Sequence, residues 1–117
     1  MIKVGFIGAG NMGYAIMKGI SSAGKIDAKL YAYDCYEPAL ERAAEIGAES
    51  CAGAAEVLEK CKYVFLAVKP QQLDDVLSAV SGSVKDDTVI VSICAGITDD
   101  YIASKTKAGA KVVLVMP

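Results

Sequence analysis

The residues with the clearest chemical potential are three glycines near the start of the chain. Gly8, Gly10 and Gly13 have the spacing G-x-G-x-x-G, and they follow an apolar run from Val4 to Ile7. In a phosphate-binding turn, the first glycine lets the chain leave a strand sharply and the second leaves room for a pyrophosphate. The third lets the next helix pack closely against the sheet. The spacing therefore predicts a dinucleotide site; the alternative is a tight glycine-rich turn without a ligand.

An acidic residue, Asp34, follows the last glycine by about twenty residues, at the end of a second strand-like stretch. A carboxylate there can accept hydrogen bonds from an adenosine ribose, and it would repel a 2′-phosphate. The next residues are Cys35 and Tyr36, so no arginine comes directly after it to receive such a phosphate. Asp34 therefore favours NADH over NADPH, unless its carboxylate only caps the turn that follows.

Two later strand-like stretches end in residues suited to a cofactor site. The first closes with Ala67-Val68-Lys69-Pro70, where proline stiffens a loop whose backbone can face the nicotinamide half. Lys69 can neutralise phosphate or point to solvent. The second closes with Cys94-Ala95-Gly96, whose small side chains let a flat ring approach the backbone. We do not expect Cys94 to be a nucleophile, because a thiol needs an activating base and the chain has no histidine.

Secondary-structure elements must position these loops. Along the chain, strand-like and helix-like stretches alternate. The expected strands are Lys3–Ile7, Ala28–Tyr33, Ala48–Cys51, Tyr63–Val68, Thr88–Ile93 and Lys111–Met116. The expected helices are Asn11–Ala23, Glu37–Ile46, Ala54–Lys60, Gln71–Val80 and Thr98–Lys107. Such alternation predicts an α/β fold: a doubly wound, mostly parallel sheet of the Rossmann type, with helices on both faces. The apolar run from Tyr63 predicts a strand covered on both faces. A ligand would lie beyond the carboxyl ends of the strands.

Composition limits the functional classes. The chain has 117 residues, of which 54% are hydrophobic and 22% are charged, as expected of one globular domain. Its net charge is −2 with mixed signs, so neither nucleic acid nor a membrane is an expected partner. The N-terminus does not resemble a signal peptide. Four cysteines without C-x-x-C spacing, and no histidine, predict no metal site and a reducing, cytoplasmic location.

Four motifs occur in order: VGFIGAGNMG from Val4, FLAVKP from Phe65, VSICAG from Val91, and VMP at the end. With these residues the chain resembles pyrroline-5-carboxylate reductases over its whole length. Many enzymes share the glycine motif, whereas the Ala-Val-Lys-Pro stretch followed by Ser-x-x-Ala-Gly is much more specific to this family. The resemblance implies an oxidoreductase that uses NADPH or NADH to reduce 1-pyrroline-5-carboxylate to proline, the last step of proline biosynthesis.

The resemblance also implies roles for particular residues. The loop of Ile7, Gly8, Ala9, Gly10, Asn11 and Met12 would hold the pyrophosphate. The loop Ala67–Pro70 would border the riboses, and Cys94–Gly96 would lie beside the nicotinamide ring. Two positions depart from the family pattern: Ala54 replaces a polar residue that touches the adenosine ribose, and Asp34 stands where many NADP-using members have Ser, Thr or Asn. Ala54 cannot make that contact, and the departure at Asp34 puts a preference for NADP in doubt.

Members of this family continue from Met-Pro into Asn-Thr-Pro and a helical domain that forms the dimer and holds the substrate carboxylate. We therefore expect residues 1–117 to be the dinucleotide-binding domain of a homo-oligomeric enzyme, without that helical domain and without catalytic residues of its own. Two alternatives are the cofactor domain of a 3-hydroxyacid dehydrogenase of the 6-phosphogluconate dehydrogenase type and a non-catalytic dinucleotide-sensing module.

Overall fold

The structure is a computed structural model that describes residues 2–24, 27–94, 96–107 and 109–115. Strands and helices alternate throughout these ranges. The strands are β1 (Ile2–Ile7), β2 (Ala28–Tyr33), β3 (Glu49–Ser50), β4 (Tyr63–Leu66), β5 (Val89–Ser92) and β6 (Lys111–Leu114). The helices are α1 (Asn11–Ala23), α2 (Glu37–Glu45), α3 (Ala54–Lys60), α4 (Pro70–Val80) and α5 (Asp99–Lys105). None of these helices is long and apolar enough to span a bilayer.

The strands form one sheet in the order β3-β2-β1-β4-β5-β6, and every pairing is parallel. The chain first winds outward from β1 to β3 and then returns to β4 and winds outward to β6. The strand order therefore reverses between β1 and β4, which is where open α/β sheets place their ligands. The predicted doubly wound, Rossmann-type sheet is confirmed.

The core consists of two layers, one on each face of the sheet. Leu58, Leu77 and Ile102 bring α3, α4 and α5 onto one face, where they are almost completely buried. Met17 brings α1 onto the opposite face together with α2. On that second face, the rings of Phe6 in β1 and Phe65 in β4 stack 4.7 Å apart. The apolar side chains of both layers therefore hold helices to both faces, as the alternation predicts.

The structure corrects the expected extent and burial of β4. This strand ends at Leu66 rather than at Val68, and α4 begins one residue early, with Pro70 in its first turn. Val64 and Leu66 are buried, whereas Tyr63 and Phe65 are only half-buried. Helices α1 and α2 connect β1, β2 and β3, which form one half of the sheet, so on their face they cover that half. Among the described helices, none connects strands over the same face of β4, so the strand is fully covered on one side only.

Candidate dinucleotide-binding site

Backbone hydrogen bonds tie the ends of neighbouring strands together at the carboxyl edge of the sheet. The Gly8 N–H donates to the Tyr33 carbonyl at 2.8 Å, and the Ala67 N–H donates to the Ile7 carbonyl at 2.9 Å. The ends of β4 and β5 are paired in the same way. The predicted site loops after β1, β2, β4 and β5 therefore lie side by side across the switch point.

Packing explains two of the three glycines in the turn after β1. Gly8 has a φ of +103°, and a Cβ atom there would lie 2.6 Å from the carbonyl oxygen of Ala67. A Cβ atom at Gly13 would lie 2.6 Å from the carbonyl oxygen of Gly8. Both contacts are shorter than side chains tolerate, so these glycines allow α1 and the loop after β4 to meet. This agrees with the roles that the spacing predicts for the first and third glycines.

Gly10 differs, because no atom lies within 4 Å of the position that its Cβ would take. It is exposed and precedes α1 without a side-chain capping bond, and the first turn of the helix carries no acidic residue. The first backbone hydrogen bond of α1 runs from Tyr14 to Gly10, so the N–H groups before it lack a helical partner. This turn therefore combines open space, free donors and the positive end of a helix, which together fit a pyrophosphate.

The Asp34 carboxylate lies against the glycine turn. Its Oδ2 accepts a hydrogen bond from the Ala9 N–H at 2.8 Å, and its Oδ1 accepts one from the Tyr36 N–H at 2.9 Å. Asp34 thus caps the turn that follows it and also faces the loop where the dinucleotide is predicted. Each oxygen of the Asp34 carboxylate can accept a second hydrogen bond, so the carboxylate still has room to accept one from a ribose hydroxyl.

The loop Ala67–Pro70 runs from the packed glycine turn into α4. Ala67 and Val68 are half-buried, and Lys69 is exposed at the position before the helix. The Lys69 N–H donates to the Gln72 side chain at 3.4 Å, which helps to cap α4. The loop therefore presents backbone and one exposed cation at the carboxyl edge.

The Cys94 thiol is directed into the protein. It is buried and donates to the Val68 carbonyl, with 3.4 Å between Sγ and the oxygen, which ties the loop after β5 to the loop after β4. Burial raises the pKa of the Cys94 thiol, which disfavours the reactive thiolate. Gly96 is exposed, and Ala95 lies outside the described residues. Cys94 thus positions a loop.

Sequence reasoning missed one charged residue beside the turn. Arg42, the single arginine of the chain, projects from α2 so that its guanidinium carbon lies 4.1 Å from the centre of the Tyr14 ring. Its Nη2 lies 3.5 Å from Oδ1 of Asn11, the first residue of α1. One feature of the sequence indicates that Arg42 lies near the sheet: it follows Ala39 by three residues and so lies next to the buried face of α2.

Within the described ranges, no three His, Cys, Asp or Glu side chains are close enough together to hold a metal ion. Among the residues that the structure describes, the carboxyl edge offers main-chain donors, a few polar side chains and two cations, Lys69 and Arg42.

The doubly wound parallel sheet with a glycine turn at its switch point defines a Rossmann-type domain. Residues 3–96 match the model of the family described as NADP oxidoreductase, coenzyme F420-dependent. Because this match extends over most of the chain, the chain belongs to that family.

Individual relatives are more specific. The chain is 37% identical to the pyrroline-5-carboxylate reductase of Methanosarcina acetivorans and 34% identical to that of Escherichia coli K12, over 98% of this chain in both cases. It covers 43% and 44% of those proteins. It superimposes with a TM-score of 0.85 and 27% identity on the crystal structure of Plasmodium falciparum pyrroline carboxylate reductase with NADP bound, covering 99% of this chain and 42% of that one. The resemblance indicated by the sequence motifs is confirmed, and the chain spans less than half the length of these relatives.

Proposed function

We propose that residues 1–117 form the dinucleotide-binding domain of a pyrroline-5-carboxylate reductase and that they hold NADPH or NADH. The observation that carries this proposal is the open position at Gly10, beside the free donors at the start of α1. The similarity to reductases over nearly the whole chain supports the same function.

In this proposal each loop holds a different part of the coenzyme. The turn from Ile7 to Gly13 takes the pyrophosphate, and the Asp34 carboxylate accepts from the adenosine ribose. The loops Ala67–Pro70 and Cys94–Gly96 line the nicotinamide half. A bound nicotinamide coenzyme supplies the hydride that reduces the imine of 1-pyrroline-5-carboxylate to proline. The residues of this chain contribute position and orientation, and we assign none of them as a general acid or base.

The remaining parts of the proposal concern the whole protein. The relatives are more than twice as long as this chain. We therefore propose that the residues that bind the substrate, and those that form a homo-oligomer, belong to the part of such a protein that this chain does not cover. The cysteines at positions 35, 51, 61 and 94 are free thiols, which supports a reducing compartment such as the cytoplasm.

The experiment that tests the site replaces Gly10 with valine. We expect this Gly10→Val variant to bind NADPH and NADH at least about tenfold more weakly, because the new side chain occupies the space for the pyrophosphate. The fold should survive, since Gly10 has a φ of −71° and an unobstructed Cβ position. Titration calorimetry gives the affinities, and circular dichroism checks the fold.

The matched control is Gly19→Val, which makes the same chemical change on the exposed surface of α1, where a Cβ also meets nothing within 4 Å. It should bind both coenzymes as the unmodified chain does. If Gly10→Val binds them as well as Gly19→Val, the pyrophosphate does not lie at this turn.

A further inference from the structure

The Arg42 guanidinium is held in place but poorly paired. The Tyr14 ring supports it from one side, and its contact with Asn11 is at the outer limit of hydrogen-bond length. Its Nε is buried and has no hydrogen-bond partner among the described residues. A ligand cannot reach the buried Nε, but the two Nη atoms carry four of the five N–H donors of the guanidinium. The contact with Asn11 is the one hydrogen bond described for these Nη groups, so they have donors left for an acceptor outside the described chain.

Among the described residues, no carboxylate forms an ion pair with Arg42. In the described ranges, the ion pairs join Lys29, Lys60 and Lys107 to carboxylates, and none of them includes Arg42. The Asp34 carboxylate, which lies against the same turn, accepts from backbone amides instead. The start of α1, which carries partial positive charge, lies beside the guanidinium. Two positive groups therefore meet at one place, and an anion there would be stabilised by both.

We infer that Arg42 is a phosphate-binding residue of the dinucleotide site, an inference that rests on the proposed function. The planar donor fork of arginine matches the oxygens of a phosphate group, and Tyr14 fixes the plane of that fork. No arginine directly follows Asp34 in the sequence to receive a 2′-phosphate, but Arg42 on α2 could take that role. The acid at position 34 therefore does not by itself exclude NADPH. The phosphate is either the 2′-phosphate of NADPH or the pyrophosphate common to both coenzymes.

The test compares the coenzyme affinities of Arg42→Gln and Arg42→Lys with those of Lys18→Gln. Lys18→Gln removes the same charge from the exposed surface of α1 and should leave affinity unchanged. We expect Arg42→Gln to bind NADPH about tenfold more weakly than the unmodified chain. Arg42→Lys should have an intermediate affinity, because lysine keeps the positive charge but lacks the planar donor fork. NADH affinity identifies the phosphate: unchanged NADH binding indicates the 2′-phosphate, whereas an equal loss indicates the pyrophosphate.

The inference is overturned if Arg42→Gln binds both coenzymes as tightly as Lys18→Gln does. An unmodified chain that binds neither coenzyme refutes the proposed function itself, so the two failures are distinguishable. Thermal unfolding by circular dichroism checks that the variants fold. Should Arg42→Gln not fold, Arg42→Met gives the same measurement, because it preserves apolar packing over the Tyr14 ring.

Discussion

At the scale of single residues, the glycine turn separates positions that serve packing from the position that leaves room for a ligand. A methyl group at Gly8 or Gly13 would collide with main-chain atoms, whereas one at Gly10 would enter open space. The spacing of the three glycines predicts this division. It does not predict Arg42, because only the packing of α2 beside α1 brings that side chain to Asn11.

Asp34 is the residue at which the choice between coenzymes can be tested. Asp34→Asn should shift binding toward NADPH, because it removes a negative charge that would repel a 2′-phosphate. The asparagine oxygen can still accept from one of the two amides that the carboxylate now serves. We expect the ratio of the NADPH to the NADH dissociation constant to fall by about threefold to tenfold, measured by titration calorimetry.

The control for that experiment is Asp87→Asn, which makes the same charge change at an exposed position before β5. If both variants leave the ratio unchanged, the carboxylate of Asp34 only caps the turn to Tyr36 and does not meet the ribose end of the coenzyme.

At the scale of elements, sequence patterns predicted α1, β2 and α3 with the bounds that the structure has. These elements have local stop signals, such as Gly24, which ends α1 in the left-handed conformation. The end of β4 lacks such a signal, because its apolar run continues to Val68. There the backbone leaves the strand early to pack against Gly8, and Pro70 then starts α4. The strand end is therefore set by a tertiary contact.

Helix α1 allows a matched test of close packing against the glycine turn. In Gly13→Ala the methyl group would overlap the Gly8 carbonyl, at a cost of about 1–3 kcal/mol. Alanine gains roughly 1 kcal/mol over glycine in a helix, so the net loss in the free energy of unfolding should be up to about 2 kcal/mol. Gly19→Ala, at an exposed position of the same helix, should show only that gain. Urea denaturation measures both. Equal stabilisation by the two changes would mean that α1 has room to move away from the turn.

At the scale of the whole molecule, the described residues of the carboxyl edge suit the proposed dinucleotide, but they do not form a converging set of groups for the proposed substrate. A small anionic substrate needs positive or hydrogen-bonding groups that converge on its carboxylate. Of the two cations described at this edge, Lys69 is exposed beside α4 and Arg42 lies against α1. The sequence predicts this division of labour through its resemblance to longer reductases, and the relatives' greater length supports it.

We therefore predict that residues 1–117 alone bind NADPH or NADH but do not reduce 1-pyrroline-5-carboxylate at a significant rate. Hydride transfer requires donor and acceptor atoms within about 3–3.5 Å in an aligned geometry, and the loops described here can align only the donor. Losing that alignment should slow turnover at least about a thousandfold, equivalent to more than about 4 kcal/mol in the barrier. The measurement follows oxidation of the reduced coenzyme by the loss of its absorbance, with the full-length Escherichia coli relative as the positive control. Coenzyme binding by the same preparation must be shown first, so that lack of turnover is not lack of coenzyme. Turnover near the rate of the relative would contradict the division of labour and would locate a substrate pocket within these residues.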